Sequence, residues 1–371
     1  MLIVDAHQDL AWSMLTFGRD YTLSAAQIRQ KEIGTQHVAN NDDTMIGWPE
    51  YQRGQVALVF ATLFATPIRY CVGAWDKLCY VNANQAARIY REQLDVYKRL
   101  ADEHSEKFQL IKTRPDLSHL LDAWKTPPEF DEETGDVSIG RPVGLVVMME
   151  GAEAVQDPAE LEEWWQEGVR IIGPAWSKTR YCGGTKEPGP MTPQGFALLE
   201  RMSSLGYSLD LTHMDEQAAF QALDTYDGQI IASHSNAQAL IRDADSNRHL
   251  SDRVIHGILE RDGVIGIVPF NAFLKAGWVR GDRREEVKLD SWIAQIDYIC
   301  QLAGDAFHVG IGSDFDGGFG LQSVPLGLDT IADLRIIVQP LAERGYSTID
   351  IAAIMGGNWL AQIQKLLPER L

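Results

Sequence analysis

Residues 2–9 read LIVDAHQD, in which the apolar run Leu2-Ile3-Val4 is followed at once by the ligand-type residues His7 and Asp9. The apolar run predicts a buried strand. Because residues i and i+2 of an extended strand share a face, His7 and Asp9 would present one nitrogen and one oxygen to the same point. That point is most simply a metal ion, although a lone strand-end histidine is more often only hydrogen-bonded.

Short apolar runs of the same kind recur along the chain between longer, helix-like stretches. After Leu2–Val4, the runs are Val56–Phe64, Val143–Met149, Val169–Gly173, Tyr207–Leu211, Ile230–Ala232, Val264–Val268 and Phe307–Ile311. Continuous apolar strands separated by helices indicate a parallel sheet covered on both faces, and eight such units are the number that closes a TIM-type barrel. We therefore predict an α/β fold, a (β/α)8 barrel, with an open doubly wound sheet as the main alternative.

The sequence also predicts three helices and one long polar loop. Helices are predicted over Tyr80–His104, Pro158–Gly168 and Thr192–Gly206, where apolar residues repeat every three or four positions or where Pro and Gly mark the two ends. Between Arg114 and Pro142 the chain becomes polar and contains several prolines. We interpret residues 113–142 as a loop excursion from the barrel, so that residues 1–371 form a single domain.

Composition excludes some classes of partner. The 371 residues are 45% hydrophobic, and 33 basic against 52 acidic residues give a formal net charge of −19. Such a charge repels phosphate backbones and anionic membrane surfaces, so we expect no nucleic-acid partner. No stretch approaches the roughly 18 apolar residues of a membrane-spanning helix, so no membrane partner is expected either.

Cysteine usage predicts a reducing compartment. Cys71, Cys79, Cys182 and Cys300 are scattered, without a CxxC pair. Reduced thiols in a cytoplasmic protein are the default interpretation, and the first predicted strand leaves no room for a secretory signal ahead of it. Cys182 could be a nucleophile in principle, but a packing role is favoured.

Four further ligand-type residues directly follow predicted strands: Glu150, His213, His234 and Asp314. The carboxyl ends of the strands are the face on which barrel enzymes build their sites. Each residue alone would be an ordinary structural histidine or helix cap, but the coincidence at five strand ends favours a shared site. Three histidines with two or three carboxylates suit zinc, and they are too many for one tetrahedral ion, so two metals bridged by a carboxylate fit better.

On these residues the chain resembles the membrane dipeptidase (renal dipeptidase, peptidase M19) family, from His7 nearly to the C-terminus. The motifs that carry the resemblance are DAHQDL at 5–10, Glu150-Gly151, LDLTH ending at His213, Ser233-His234-Ser235, Asp314-Phe315-Asp316-Gly317 and GGNWL at 356–360.

The resemblance implies a role for each matched residue. It assigns His7 and Asp9 to the first zinc, His213 and His234 to the second, and Glu150 to a bridge between them. It implies that Asp314 is catalytic, accepting a proton from the attacking water and handing it to the departing nitrogen. It also implies that Arg248, in the segment NRHLSD, grips the terminal carboxylate of the substrate. Asp316 is interpreted as an exposed loop acid or cap.

One position departs from the family pattern. Aligning Gly168-Val169-Arg170 with the family's GxR segment puts Trp176 where characterised dipeptidases carry a histidine that helps to bind the substrate carbonyl. Tryptophan offers one N–H donor but no acceptor and no positive charge. We expect Trp176 to contact the substrate and to narrow the pocket beside the metals.

The resemblance implies a zinc-dependent dipeptidase that uses two Zn²⁺ per chain and a hydroxide shared between them, with a D-residue accepted on the C-terminal side of the dipeptide. Two alternatives stay open: an amidohydrolase acting on N-acyl amino acids or a related amide or ester, and a non-catalytic metal-binding relative. The expected partner is a small-molecule substrate. The number of subunits stays open, with a homodimer as one alternative.

Overall fold

The computed structural model describes residues 1–241 and 246–370. Its centre is a ring of parallel strands, numbered here in chain order: β1 (Ile3–Gln8), β2 (Val56–Leu63), β3 (Val143–Glu150), β4 (Val169–Gly173), β5 (Ser208–Asp210), β6 (Ile230–Ile231), β7 (Ile265–Ile267) and β8 (Val309–Ile311). Strands β1 to β6 pair consecutively, and β8 pairs with both β7 and β1. A parallel bridge between Ala232 and Ile265 joins β6 to β7. The predicted (β/α)8 barrel is therefore confirmed.

The strands are buried on both faces because both faces are covered. Every residue of β2 and β3 is buried, and their sequences VALVFATL and VGLVVMME are almost entirely apolar. One face of each strand fills the barrel interior and the other packs against the surrounding helices. This is the pattern expected of parallel strands in an α/β fold.

Helices alternate with the strands and begin and end at local signals. The α-helices are Leu10–Phe17, Ala25–Glu32, His37–Asn41, Trp48–Gly54, Ala83–Glu103, Arg114–Ala123, Leu161–Glu167, Pro193–Leu205, Glu216–Thr225, Asp252–Glu260, Leu289–Ala303, Val338–Glu343, Thr348–Ala352 and Asn358–Leu366. Thr192 caps the helix that follows it, and Gly206 ends that helix with a φ of 87°. The three predicted helices are present, with bounds shifted by a few residues.

The predicted loop excursion contains more regular structure than expected. Helix Arg114–Ala123 opens it, and a short hairpin of Glu129–Phe130 with Val137–Ile139 follows. The helix forms because Thr113 and Asp116 make a reciprocal capping box and because its apolar side packs inward through residues such as Leu117. The polar composition of the region concealed these local signals.

Two glycines allow β6 to approach its neighbours closely. The carbonyl group of Ser233, just beyond β6, lies so near Gly266 and Gly312 that a Cβ atom at either position would collide with it. The main-chain N–H of Ser235 donates to the carbonyl of Gly266 at 2.7 Å. The seam between β6, β7 and β8 therefore depends on the absence of side chains at these positions.

The expectation of four reduced cysteines is wrong for two of them. Cys71 and Cys79 form a disulfide. The segment between them folds back so that Thr66–Pro67 pairs with Cys79–Tyr80, which brings the two Cα atoms within 6.1 Å. This pairing depends on the fold of the loop and leaves no CxxC signal. It also removes the basis on which cysteine usage pointed to a reducing compartment.

The remaining cysteines are packing residues. Cys182 and Cys300 are free and buried. Burial raises the pKa of the Cys182 thiol to about 12, so this thiol stays protonated and is not an activated nucleophile. In the part of the chain that the structure describes, no helix combines the length and the apolar character needed to cross a bilayer.

Candidate active site

All six strand-end residues that the sequence singled out meet at one mouth of the barrel. His7 lies near the end of β1 and Asp9 follows that strand, while Glu150 is the last residue of β3. His213, His234 and Asp314 each come three residues after the end of a strand, β5, β6 and β8 respectively. Their ligand atoms form overlapping groups of three in which the atoms all lie within 4.8 Å of one another.

Glu150 lies between the histidines and faces them with different oxygens. Its Oε1 is 3.0 Å from Nε2 of His213 and 3.5 Å from Nε2 of His234. Its Oε2 is 3.5 Å from Nε2 of His7. The two oxygens of this carboxylate therefore face different ligands, His7 on one side and His213 with His234 on the other. A ligand that bridges two metal ions requires this arrangement.

The first set of donors consists of His7, Asp9 and Glu150. Oδ2 of Asp9 lies 3.7 Å from Nε2 of His7, and these two residues with Glu150 form one candidate metal group. The other oxygen of Asp9, Oδ1, is buried and has no hydrogen-bond partner among the described residues. A buried carboxylate oxygen without a partner is costly in the absence of a cation.

The second set of donors consists of Glu150, His213 and His234. Hydroxyl groups orient its two imidazole rings by contacting their Nδ1 atoms. Oγ1 of Thr185 lies 2.8 Å from Nδ1 of His213, and Oγ of Ser233 lies 2.9 Å from Nδ1 of His234. A neutral imidazole that donates from Nδ1 leaves the Nε2 lone pair free, and Nε2 is the atom that faces Glu150 in both rings. Thr185 thus helps to orient the ring of His213.

The electrostatics of the site favour neutral imidazoles in the second set. Burial lowers the pKa of His213 to about 4 and, with the charge of His7 adding to it, the pKa of His234 well below its usual value. Burial would also lower the pKa of His7, but Glu150 and Asp9 outweigh it and raise that pKa well above its usual value. Burial opposes ionisation of Glu150, yet the surrounding imidazoles hold its pKa well below its usual range.

Asp314 shares the site but not the electrostatics of Glu150. Its Oδ1 lies 3.8 Å from Nε2 of His7. Burial raises the pKa of Asp314 well above its usual value, and the charges of Asp9 and Glu150 raise it further against the opposing effect of His7. The backbone of Asp314 has a φ of 56°, a conformation that non-glycine residues adopt rarely and mostly where the surroundings impose it. The proton affinity of the Asp314 carboxylate is thus raised by its surroundings.

Asp316 has a structural role, but the expectation that it is exposed is wrong. The residue is fully buried. Its Oδ2 lies 3.2 Å from Nη1 of Arg19 and accepts a hydrogen bond from Tyr21 at 2.9 Å, while Oδ1 accepts from the N–H of Met45 at 2.9 Å. Asp316 therefore anchors the loop after β8 to the segments that connect the N-terminal helices, and these segments are distant from it in the chain.

Arg248 lies behind the second set of histidines. Its guanidinium donates to the carbonyl of His234 at 2.6 Å and to Oγ of Ser235 at 3.2 Å, and it lies 5.2 Å from the ring centroid of Phe273. The side chain is buried, and its Nε has no hydrogen-bond partner among the described residues. Burial lowers the pKa of Arg248, and the negative charges of Asp314 and Glu150 oppose that shift.

Trp176 borders the second set on the open side. Its ring centroid is 6.0 Å from that of His213. The same ring lies 5.4 Å from Phe64 and 5.9 Å from Tyr70, and the ammonium of Lys186 lies 5.8 Å above it. The half-buried indole therefore forms a wall of the space above the histidines.

A cavity of about 380 Å³ opens above these residues. Asp9, Glu150 and Asp314 are the acidic residues at its metal-site end. The other lining residues are Trp12, Ala39, Asn40, Phe64, Thr66, Tyr70, Val72, Trp75, Asp76, Trp176, Lys186, Arg280, Gly317 and Gly318. The volume lies in the range of small-molecule sites, and five of the lining residues are aromatic.

The residues present fit divalent metal ions. Imidazole nitrogens and carboxylate oxygens converge, two of the imidazoles have pKa values that keep them neutral, and Oδ1 of Asp9 is buried without a partner. Hydroxyl groups on the far side of two rings supply the support that metal-binding histidines usually have. The geometry can therefore bind metal and activate a small molecule in the adjoining cavity.

Residues 129–366 match the model of the membrane dipeptidase family, peptidase family M19. The chain belongs to this family. The resemblance drawn from the sequence motifs is thus confirmed, and the family is one of metal-dependent peptidases.

Two curated relatives of this membrane dipeptidase family member align with 60% and 72% of its chain. A protein encoded in the 5′ region of pqqA in Klebsiella pneumoniae is 30% identical over 60% of this chain and 82% of its own length. An uncharacterized dipeptidase of Schizosaccharomyces pombe is 27% identical over 72% of this chain. The aligned part spans 60% of that yeast relative.

A solved structure agrees with the fold over nearly the whole chain. A metallopeptidase from Rhodobacter sphaeroides, liganded with a phosphinate mimic of the dipeptide L-Ala-D-Ala, has a TM-score of 0.76. It is 21% identical in sequence, and the alignment covers 99% of both chains. At this identity the likeness establishes the barrel shared by the two proteins.

Several residues of the site were missed by the sequence analysis. Trp12, Trp75, Asp76 and Lys186 line the cavity from a helix or from loops. Thr185 supports His213 from a hairpin turn whose position depends on tertiary packing. Only Trp12 had an available hint, since it lies three residues after Asp9 at the start of the helix that follows β1.

Proposed function

We propose that this chain is a dinuclear zinc dipeptidase that hydrolyses dipeptides, including those with a D-residue on the C-terminal side. The observation that carries the proposal is the position of Glu150, whose two oxygens face different histidines at the base of one cavity. Membership of the membrane dipeptidase family supports the reaction class. The ligand of the Rhodobacter sphaeroides structure, a mimic of L-Ala-D-Ala, supports the stereochemical part.

The ligand assignment follows the two sets of donors. His7, Asp9 and Glu150 would hold one ion, and Glu150, His213 and His234 would hold the other. Nitrogen and carboxylate ligands of this number suit zinc. When bound, such a pair lowers the pKa of water towards about 7 and polarises a carbonyl group.

Asp314 would move the proton. A peptide bond is a poor substrate because its nitrogen leaves badly unless it is protonated. A carboxyl group with a raised pKa can accept a proton from the attacking water and donate it to that nitrogen. Asp314 lines the cavity beside Glu150, where the scissile bond would lie.

Arg248 and Trp176 would bind the substrate. We assign the terminal carboxylate to Arg248, which is buried beside His234 and keeps one N–H without a partner. A planar guanidinium suits carboxylate recognition. Trp176 would pack on the substrate next to His213 and restrict the shape of the pocket.

Turnover and metal content test this proposal together. Purified protein loaded with zinc is assayed with L,L- and L,D-dipeptides and, in parallel, with N-acyl amino acids, while anomalous scattering from a crystal locates the ions. We expect two zinc ions per chain, one on each side of Glu150, and hydrolysis of dipeptides. Two bound ions with hydrolysis of the N-acyl compounds alone would contradict the substrate assignment, and a single ion would contradict the bridge.

A further inference from the structure

One wall of the cavity contains polar groups that the proposed reaction leaves without a role. Of the described residues that line the cavity, Asp9, Trp12 and Asp76 carry a buried polar side-chain atom with no hydrogen-bond partner. The free oxygen of Asp9 belongs to the metal site. The other two atoms are Nε1 of Trp12 and Oδ1 of Asp76, which lie on the wall formed by the first helix and the loop 66–80.

Asp76 is a buried acidic residue of the cavity wall that lies outside the metal site. Asp76 is only 5% exposed to solvent. Among residues 1–241 and 246–370, no lysine, arginine or histidine nitrogen forms an ion pair with it. Burial raises the pKa of Asp76, while contacts with the Thr66 hydroxyl and the Val72 N–H favour its charged form. A cation bound next to Asp76 would offset the cost of burying its charged form.

The loop holds this carboxylate in place. The disulfide between Cys71 and Cys79 closes the segment on both sides of Asp76. The N–H of Asp76 donates to the carbonyl of Gly73 at 3.1 Å. The adjacent Trp75 lies edge-on to Trp12, with ring centroids 6.4 Å apart. A charge fixed in this way loses little freedom when it binds a ligand.

We propose that Asp76 binds an ammonium group of the substrate. The inference rests on the proposed function, because it identifies the bound molecule as a dipeptide in the cavity beside Asp9 and Glu150. Two sources of the ammonium share this chemistry: the free α-amino group and the side chain of a lysine residue. Either would pair with the carboxylate of Asp76 and compensate its charge.

The test uses ligand binding, so that it does not depend on turnover. Calorimetry on the zinc-loaded Asp314→Asn variant compares Ala-Ala with propionyl-alanine, which has the same amide and carboxylate but no ammonium. A hydrogen bond between charged groups contributes about tenfold to a hundredfold in affinity. We expect Ala-Ala to bind at least about tenfold more tightly than propionyl-alanine, by the same principle.

The Asp76→Asn substitution, added to Asp314→Asn, then isolates the charge. Asparagine is isosteric and still accepts hydrogen bonds from Thr66 and Val72, so the loop keeps its local contacts. We expect the added substitution to weaken Ala-Ala by about tenfold or more and to leave propionyl-alanine within about twofold. Propionyl-lysine and propionyl-norleucine form the second comparison, because only the lysine side chain carries an ammonium group. If Asp76→Asn weakens the binding of propionyl-lysine but not that of propionyl-norleucine, Asp76 binds the ammonium of a side chain.

Asp131→Asn is the matched control. Asp131 is an exposed acid that caps its own turn by accepting hydrogen bonds from the N–H groups of Glu133 and Thr134. The substitution removes the same charge from a comparable turn away from the cavity. It should leave the binding of every ligand unchanged, and an effect as large as that of Asp76→Asn would assign the result to net charge and overturn the proposal.

Two other results would also overturn it. If Asp76→Asn weakens Ala-Ala and propionyl-alanine equally, Asp76 only supports the loop. If Ala-Ala and propionyl-alanine bind equally well to Asp314→Asn, and propionyl-lysine binds no better than propionyl-norleucine, the cavity has no ammonium site, a result that needs no variant at Asp76. Failure of the proposed function would appear separately, as absence of dipeptide turnover by the zinc-loaded wild-type chain.

Discussion

The hydroxyl oxygen of Tyr90 lies 2.6 Å from the carbonyl oxygen of Glu150 and 2.8 Å from that of Gly151, and it donates to this pair. Tyr90 belongs to helix Ala83–Glu103, outside the barrel. The contact joins the helical layer to the end of β3. This end of the strand carries Glu150, whose carboxylate faces the histidines of both sets. The position of Glu150 is thus held from outside the site.

Replacing Tyr90 with phenylalanine tests this link. Tyr90→Phe leaves two buried carbonyl groups without their donor, which should lower the free energy of unfolding by about 1–3 kcal/mol. It should also weaken zinc binding, because the end of β3 gains freedom. Urea unfolding and chelator competition measure the two effects. Tyr181→Phe is the control, since Tyr181 is equally buried but donates to the carbonyl of Val155. It should lose stability and keep its zinc affinity, and equal zinc affinity in both variants would refute the link.

Asp314→Asn should cut turnover without removing metal. A proton carrier typically contributes about 10²–10⁴-fold to the rate, so we expect kcat to fall within that range. Metal analysis should still find the wild-type zinc content. Asp316→Asn is a contrasting variant, because it breaks the buried pair with Arg19 and should lower the melting temperature while folded molecules keep their turnover. Unchanged kcat in Asp314→Asn would remove this residue from the mechanism.

Thr185→Val should weaken metal binding through His213. Valine keeps the shape of threonine but cannot hydrogen-bond to Nδ1 of His213, and loss of such support typically costs about 10–100-fold in metal affinity. Competition with a chromophoric chelator measures the change. The control is Thr179→Val in the same region, where the hydroxyl donates to the carbonyl of Pro174 at 2.9 Å and touches no site residue. Equal zinc affinity for both variants would contradict a role for Thr185.

Trp176→His should change which substrates the chain prefers. The indole forms a wall beside His213, and a smaller imidazole opens that wall and adds an acceptor. We expect kcat/KM to rise for dipeptides with bulky residues relative to Ala-Ala. A panel of L,L- and L,D-dipeptides measures the ranking, and an unaltered ranking would show that the ring does not shape the pocket.

The barrel and the central residues of the site could be predicted because their signals are local. Strand β3 is a continuous apolar run that ends in Glu150, so no loop separates the run from the ligand-type residue. The same holds for His7 at the end of β1. Once the strands are assigned to one parallel barrel, residues at their carboxyl ends must lie at the same mouth.

The rest of the site depends on contacts between distant segments. Asp76 lies on a loop whose course is set by a disulfide and by Trp75 packing against Trp12. Thr185 reaches His213 only because the hairpin after β4 folds over the barrel mouth. Neither position has a periodic pattern or a motif that marks it. Loop residues of this kind need the tertiary structure before their role can be proposed.

The close approach of Ser233 to Gly266 and Gly312 limits how this catalyst can diversify. Any larger residue at either glycine would push the segment that carries His234 away from its neighbours and disturb the centre itself. Trp176 and the segment around Asp76 line the cavity away from this seam, so we expect new specificities to arise from changes at this rim. A mutant library confined to these rim positions should yield far more folded, metal-loaded clones than one that includes the two glycines.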